Sequence, residues 1–438
     1  MTIEDHPASA TEGWHPSAGV NVDGRRERRA PGPCRPAVRL LLILAAVGPG
    51  LIVMLADTDA GSVVTAAQSG AEWGYRLVLL QIVLIPVLYG IQEITVRLGI
   101  FTGKGHGALI RLHFGRRWAL LSGGTLFVAS VGALITEFAG IAGAGELAGV
   151  PNLVSVPVAA LALSFLCLGT RYRQAEMVGI VIGALELVFI PAAIIARPSA
   201  AGFANGLAHS IVLHRPYLHL VAANVGAVIM PWMVFYQQQA VIDKGMGHRE
   251  LRVGKVDTAL GSIVTQAVMI AILVATAATL GRARTPLDTI GQIAGALVPF
   301  LGRTQAHLLF GLGMLGAATV AALVVSVGGA WGLSEVMGWE HSMNARVRDA
   351  RRFYLLCVGA IVGSALAVAV APNLVNLSVD VQVLNAGLLP IVLGFLLALE
   401  RKALRPDVRM HGVHKWLVWT VAASVMGVGL YAAVATVV

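Results

Sequence analysis

Apolar runs of about 20 residues, the length a helix needs to cross a bilayer, recur from Leu40 to the end of the chain. This pattern leaves few folds. Backbone polar groups in hydrocarbon must be satisfied internally, so the spans are helices or the strands of a closed barrel. The runs are long and continuous rather than short and alternating, which excludes a transmembrane barrel and predicts an all-α polytopic membrane protein. Composition agrees: 57% of the 438 residues are hydrophobic and 13% are charged, about half the charge of a soluble chain. About eleven spans can be placed, at 40–68, 76–99, 118–147, 152–169, 176–196, 216–241, 256–281, 306–336, 353–371, 376–399 and 415–437. Residues 1–36 are polar and rich in Pro, Gly and Arg, and read as a disordered cytoplasmic tail. The first apolar run is too long for a signal peptide and lacks a small-residue cleavage site. Residues 37–438 then form a single transmembrane domain.

Basic residues set the expected orientation. They crowd the tail (Arg25 to Arg39) and the loops after even-numbered spans: Lys104, Arg111, Arg116 and Arg117; Arg171 and Arg173; Lys244, Arg249, Arg252 and Lys255; Arg346 to Arg352; and Arg401 to Lys415. Loops after odd-numbered spans carry few, such as Arg76, Arg197 and Arg215. Lys and Arg favour the cytoplasmic side, so the N-terminus is expected inside and the C-terminus outside a cell membrane. This bias accounts for the net charge of +9 without invoking nucleic acid. Cys34, Cys167 and Cys357 lie singly, without zinc or disulfide spacing.

Two spans are written to break. The first holds "GPGLIVMLADTDAGS" (48–62), with Asp57 and Asp59 where a membrane helix should carry no charge. A carboxylate at that depth costs several kcal/mol unless paired, so Asp59 is functional by default. Gly61 permits non-helical backbone beside it. On an intact helix Asp57 points away from Asp59, and a bond to a neighbouring helix would explain it equally well. Five spans later "NVGAVIMPWMVFY" (224–236) carries Pro231, which cannot donate the helical hydrogen bond, with Gly226 upstream. Met230 alone is more often core filler than a ligand. Interrupted helices at matching places in two halves point to a transporter's binding site, and an odd separation makes the halves inverted.

These stretches resemble the NRAMP family of divalent metal transporters. The likeness is carried by "DAGS" (59–62), "GAEWGYRLVLLQ" (70–81), "IQEITVRLGIFTGK" (91–104), "TEFAG" (136–140), "GAVIMPW" (226–232), "GAWGLSEVMGW" (329–339) and "VQVLNAGLLP" (381–390), in order. The resemblance implies a LeuT-like five-plus-five inverted repeat with an added eleventh span. It implies metal ligation by Asp59, Ser62, the Ala227 carbonyl, Met230 and Gln382. It places Glu137 on a proton route and Gln92 at the external gate; Asp57, Asp380, which sits two residues before Gln382, and Trp232 are expected around the site.

The departures from the family are equally specific. Ser62 stands for an asparagine ligand, Ala60 for a proline, Trp232 for a histidine and Leu134 for an aspartate. Trp cannot take up a proton as His does, so the likeness does not carry proton coupling over. A thioether favours transition metals over Mg²⁺ and Ca²⁺. Met230 thus points to Mn²⁺ or Fe²⁺, whereas a serine in place of asparagine leaves room for water and keeps Mg²⁺ as the alternative. An organic-solute symporter of the same architecture is the other alternative. Its broken span would offer free amides to a substrate carboxylate, where this one holds a carboxylate of its own. Glu93, Glu146, Glu186 and Asp257 also fall within or beside spans. No phosphate loop, catalytic triad or HExxH motif occurs. The expectation is a transporter with no cofactor and no obligate protein partner, importing a divalent ion as its substrate through a lipid bilayer.

Overall fold

The structure, a computed structural model, describes residues 49–169, 187, 189–281, 286–340 and 345–437. In chain order its helices are α1 (Pro49–Asp57), α2 (Ala60–Trp73), α3 (Val78–Thr102), α4 (His106–Phe114), α5 (Arg116–Leu147), α6 (Asn152–Gly169), α7 (Phe189–Ile195), α8 (Ala200–Ala208), α9 (Arg215–Val228), α10 (Pro231–Asp243), α11 (Leu251–Thr279), α12 (Ile290–Gly295), α13 (Val298–Leu301), α14 (Arg303–Met337), α15 (Arg351–Val370), α16 (Leu374–Ala403) and α17 (Gly412–Val437). Among the described residues, nine stretches are long and apolar enough to cross a membrane. One of them, Ala60–Thr102, joins parts of two expected spans at Gly74, whose φ of +62° opens a 3-10 turn. The expected tail, the start of span 1, Cys34, Glu186 and most of span 176–196 lie outside the described residues.

Large apolar side chains such as Leu153, Leu161 and Phe165 face outward on α6, as a bilayer solvent requires. Inside, small residues let helices approach closely. Both broken spans are interrupted, but not where glycine freedom suggested. The first breaks at Thr58–Asp59, and Gly61 lies within α2. A Cβ there would overlap Gln382 Nε2 and lie 2.9 Å from Thr136 Oγ1. The second breaks at Ile229 (φ −124°, ψ 84°) and Met230, and Pro231 opens α10, where its missing N–H costs nothing. Gly226 is helical too, and a Cβ there would overlap the carbonyl oxygen of Gln382 and lie 2.7 Å from the amide of Ala386. Both glycines admit α16 against the broken helices; neither serves to unwind them.

Backbone atoms of α16 cannot yield as a side chain end can. Gly226→Ala should therefore destabilise the protein by about 1–3 kcal/mol, read as a lowered unfolding temperature of purified protein. An unchanged temperature would remove this contact from the packing.

One polar cluster joins distant segments. Glu93 of α3 is fully buried, with its carboxylate 2.7 Å from Arg97, 2.6 Å from Lys255 of α11 and 3.2 Å from His414 of α17. Arg97 also donates to the Val408 carbonyl at 2.7 Å. Asp257 caps the start of α1, accepting from the Gly50 amide at 2.7 Å.

Candidate functional site

A break in a helix exposes two kinds of ends. The last carbonyls of the first half have no helical partner and carry partial negative charge; the first amides of the second half carry partial positive charge. Here α1 and α9 supply the carbonyl ends, and α2 and α10 the amide ends.

The amide end of α2 is neutralised by acids. Asp59 takes extended backbone (φ −78°, ψ 172°) as N-cap, and its Oδ1 accepts from the Ser62 amide at 2.6 Å. The next amide, Ala60, donates to Glu137 Oε2 of α5 at 3.1 Å. Asp59 Oδ2 is buried and has no hydrogen-bond partner. Ser62 Oγ crosses to the other broken helix and donates to the Ala227 carbonyl at 3.1 Å. Met230, also extended (φ −92°, ψ 141°), caps α10, and its Sδ accepts from the Trp232 indole at 3.2 Å. Gln382 reaches in from α16 against Gly61 and Gly226. Its Oε1 accepts from Asn385 at 3.0 Å and its Nε2 is unpartnered. Every one of these side chains is buried, so the site is closed to solvent.

Hydrogen bonds thus join Asp59, Ser62, Ala227 and Glu137, Gln382 packs against a glycine of each broken span, and Met230 and Trp232 pair at the second break. Asp57 ends α1 beside the break, buried, with neither carboxylate oxygen bonded; no neighbouring helix bonds it. Gln92 bonds within its own helix, where Thr95 Oγ1 donates to its carbonyl at 2.7 Å and to its Oε1 at 3.2 Å. Asp380 does not join the site. It is exposed and pairs with His219 at 3.3 Å. Two residues on a helix are about 200° apart, so Gln382 facing inward turns Asp380 outward.

Sequence reading passed over two polar contributors. Asn224 of α9 accepts from Gln81 at 2.6 Å and donates to Ser69 Oγ at 2.8 Å, joining the broken helices to α3. Gln266 is buried on α11 with both amide atoms unpartnered. A buried amide in an otherwise apolar span was the available signal. Among the described residues no three His, Cys, Asp or Glu gather as metal sites commonly require. The donors at the break are instead one carboxylate oxygen, backbone carbonyls, a thioether and an amide.

Known proteins share both the sequence and the fold. Residues 50–435 match the family described as natural resistance-associated macrophage protein-like. The "Divalent metal cation transporter MntH" of Pectobacterium carotovorum is 29% identical over 297 residues, covering 65% of this chain and 71% of that protein. Its namesake from Chromohalobacter salexigens is 26% identical over 293 residues, 64% of this chain and 68% of that one. The crystal structure of the Eremococcus coleocola manganese transporter superposes with a TM-score of 0.74 at 19% identity, covering 92% of this chain and 88% of that one. A nucleobase-cation-symport-1 family transporter superposes at 0.60 with 15% identity, over 88% and 90% of the two chains. The architecture is the LeuT-like inverted repeat, and the chain belongs to the natural resistance-associated macrophage protein-like family of membrane transporters.

Proposed function

We propose that the protein imports divalent transition-metal ions, Mn²⁺ or Fe²⁺, by alternating access, with the ion held between the two broken helices. The observation that carries this reading is the buried Oδ2 of Asp59, left without a hydrogen-bond partner at a break whose Ser62 bonds Asp59 on one side and the Ala227 carbonyl of the other broken helix on the other. Buried carboxylates at a break that also exposes carbonyl helix ends attract a cation and repel an anionic solute. That disfavours an organic-acid symporter despite the shared fold. The relatives named for divalent metal and manganese support the same assignment.

In this reading Asp59 supplies charge and Ala227 a carbonyl that Ser62 occupies until the ion arrives. Met230 supplies a soft donor whose orientation the Trp232 indole fixes. Gln382 lies against Gly61, and a half-turn of its amide would present Oε1 to the break. Glu137, bonded at the Ala60 amide, is the acid nearest in sequence pattern to a proton route. Gln92 is proposed at the external gate, and Asp57 and Trp232 flank the ion. Loop charges support a cytoplasmic N-terminus and an external C-terminus. The occluded site must open alternately to the two sides for transport.

One observation favours Mg²⁺ as a second reading. The short Ser62 side chain is turned to Ala227 and offers no amide oxygen as ligand, and Mg²⁺ keeps several waters in place of protein ligands. Titration calorimetry on purified protein separates the readings. Saturable Mn²⁺ binding that a large excess of Mg²⁺ does not displace is expected. Absence of any divalent binding would overturn the proposal.

A further inference from the structure

The break has a face that the Asp59 donor set does not use. Span 1 and α11 run parallel: Gly50 meets Asp257 and Thr58 meets Thr265, both at an offset of 207 residues. Between them Met54 meets Gly261, Ser262 and Thr265. Farther on, Gly70 abuts Leu273, Thr276 and Ala277. The same offset sets Gln266 level with Asp59.

The directions of the side chains follow from about 100° per residue. On α1 the contacting residues Gly50, Met54 and Thr58 centre on Met54, and Asp57 is turned from that line by roughly 60° in one sense. On α11 the contacts at 258, 261, 262, 265 and 273 leave Gln266 turned by roughly 60–90° in the opposite sense. For two parallel helices facing each other, opposite turns lead to the same edge of their interface. Asp57 and Gln266 therefore converge on one edge. Asp57 is 1% exposed and Gln266 fully buried, and none of their four polar side-chain atoms has a partner. A buried carboxylate in a membrane requires a countercharge, and the neighbouring Asp59 adds negative charge rather than relieving it.

We propose that Asp57 and Gln266 hold a hard cation, Na⁺ or a second divalent ion, at the edge between span 1 and α11. The donors are a carboxylate and an amide oxygen with no sulfur or nitrogen ligand, the set that hard cations take. Its donors are not those of the Asp59–Met230 set, although Asp57 borders both, and it does not depend on which ion that set carries.

The test is thermal unfolding of the purified full-length protein, with NaCl or MgCl₂ replacing N-methyl-D-glucamine chloride at constant ionic strength. A ligand that binds only the folded state raises the unfolding temperature saturably. Wild type should respond to Na⁺, to Mg²⁺ or to both; the first result assigns a monovalent ion and the second a divalent one. Asp57→Asn and Gln266→Leu should each raise the half-saturating concentration at least tenfold, while Mn²⁺ still stabilises Gln266→Leu through Asp59. Gln266→Glu, which keeps an oxygen donor and adds charge, should strengthen it at least threefold, and serves if a neutral variant fails to fold. Absence of a saturable response in wild type, its retention by either neutral variant, or no gain in Gln266→Glu overturns the site. Loss of the Mn²⁺ response alone would count against the Asp59 site instead.

Discussion

Replacing Asp59 by asparagine is expected to abolish Mn²⁺ uptake in a protein that still folds and inserts. The carboxylate has two separable duties. Its Oδ1 caps α2 through the Ser62 amide, and its Oδ2 is buried and free. Asparagine keeps an oxygen for the cap and loses the charge. Alanine loses both, and a lost N-cap costs about 1 kcal/mol of stability besides. Uptake should therefore fall at least a hundredfold in both variants, about 2.8 kcal/mol of lost ion stabilisation. Only Asp59→Ala should also show a lower unfolding temperature. Radiotracer uptake, normalised to folded protein in the membrane, checks this. Uptake by Asp59→Asn within threefold of wild type would remove the carboxylate from transport.

The second large effect concerns selectivity. Met230 is the soft donor that caps the second break, and the Trp232 indole holds its sulfur from one side at 3.2 Å. A thioether adds little for ions that prefer oxygen. Wild type should take up Mn²⁺ against a large excess of Mg²⁺ or Ca²⁺. Met230→Ala should keep some Mn²⁺ uptake through Asp59 and the carbonyls, but lose discrimination by about tenfold, or roughly 1.4 kcal/mol. The same substitution leaves a cavity and strands the Trp232 N–H, so stability should fall too; the competition ratio is insensitive to that loss. Equal inhibition by Mg²⁺ in wild type and variant would make Met230 a packing residue and favour the Mg²⁺ reading.

Much of this site was legible because membrane chemistry is unforgiving. Asp59 and Pro231 are conspicuous in apolar runs, and their separation by five spans announced the repeat. The sites of unwinding were less legible. Gly61 and Gly226 look like flexible points, yet both are helical and admit α16 at close range. A sequence does not say whether a glycine is needed for its backbone freedom or for its missing side chain. Asp380 and Gln382 sit two residues apart, and only the rotation of α16 shows that Gln382 alone faces the break. Gln266 escaped notice because its significance comes from the pairing of α11 with span 1, across about two hundred residues of chain. Asp57 was left open between a place beside the site and a bond to a neighbouring helix; among the described residues no such bond is present.

The central claim is that a divalent metal ion crosses the membrane through the break between spans 1 and 6. Purified protein in liposomes, loaded with a metal-sensitive dye and a pH indicator, tests it most directly against Mn²⁺, Fe²⁺, Co²⁺, Cd²⁺, Mg²⁺ and Ca²⁺. Saturable Mn²⁺ and Fe²⁺ entry that Asp59→Asn abolishes is expected, with Mg²⁺ and Ca²⁺ entering poorly; the pH signal reports whether protons accompany the ion. No divalent entry above protein-free liposomes, or entry that Asp59→Asn leaves intact, would contradict it.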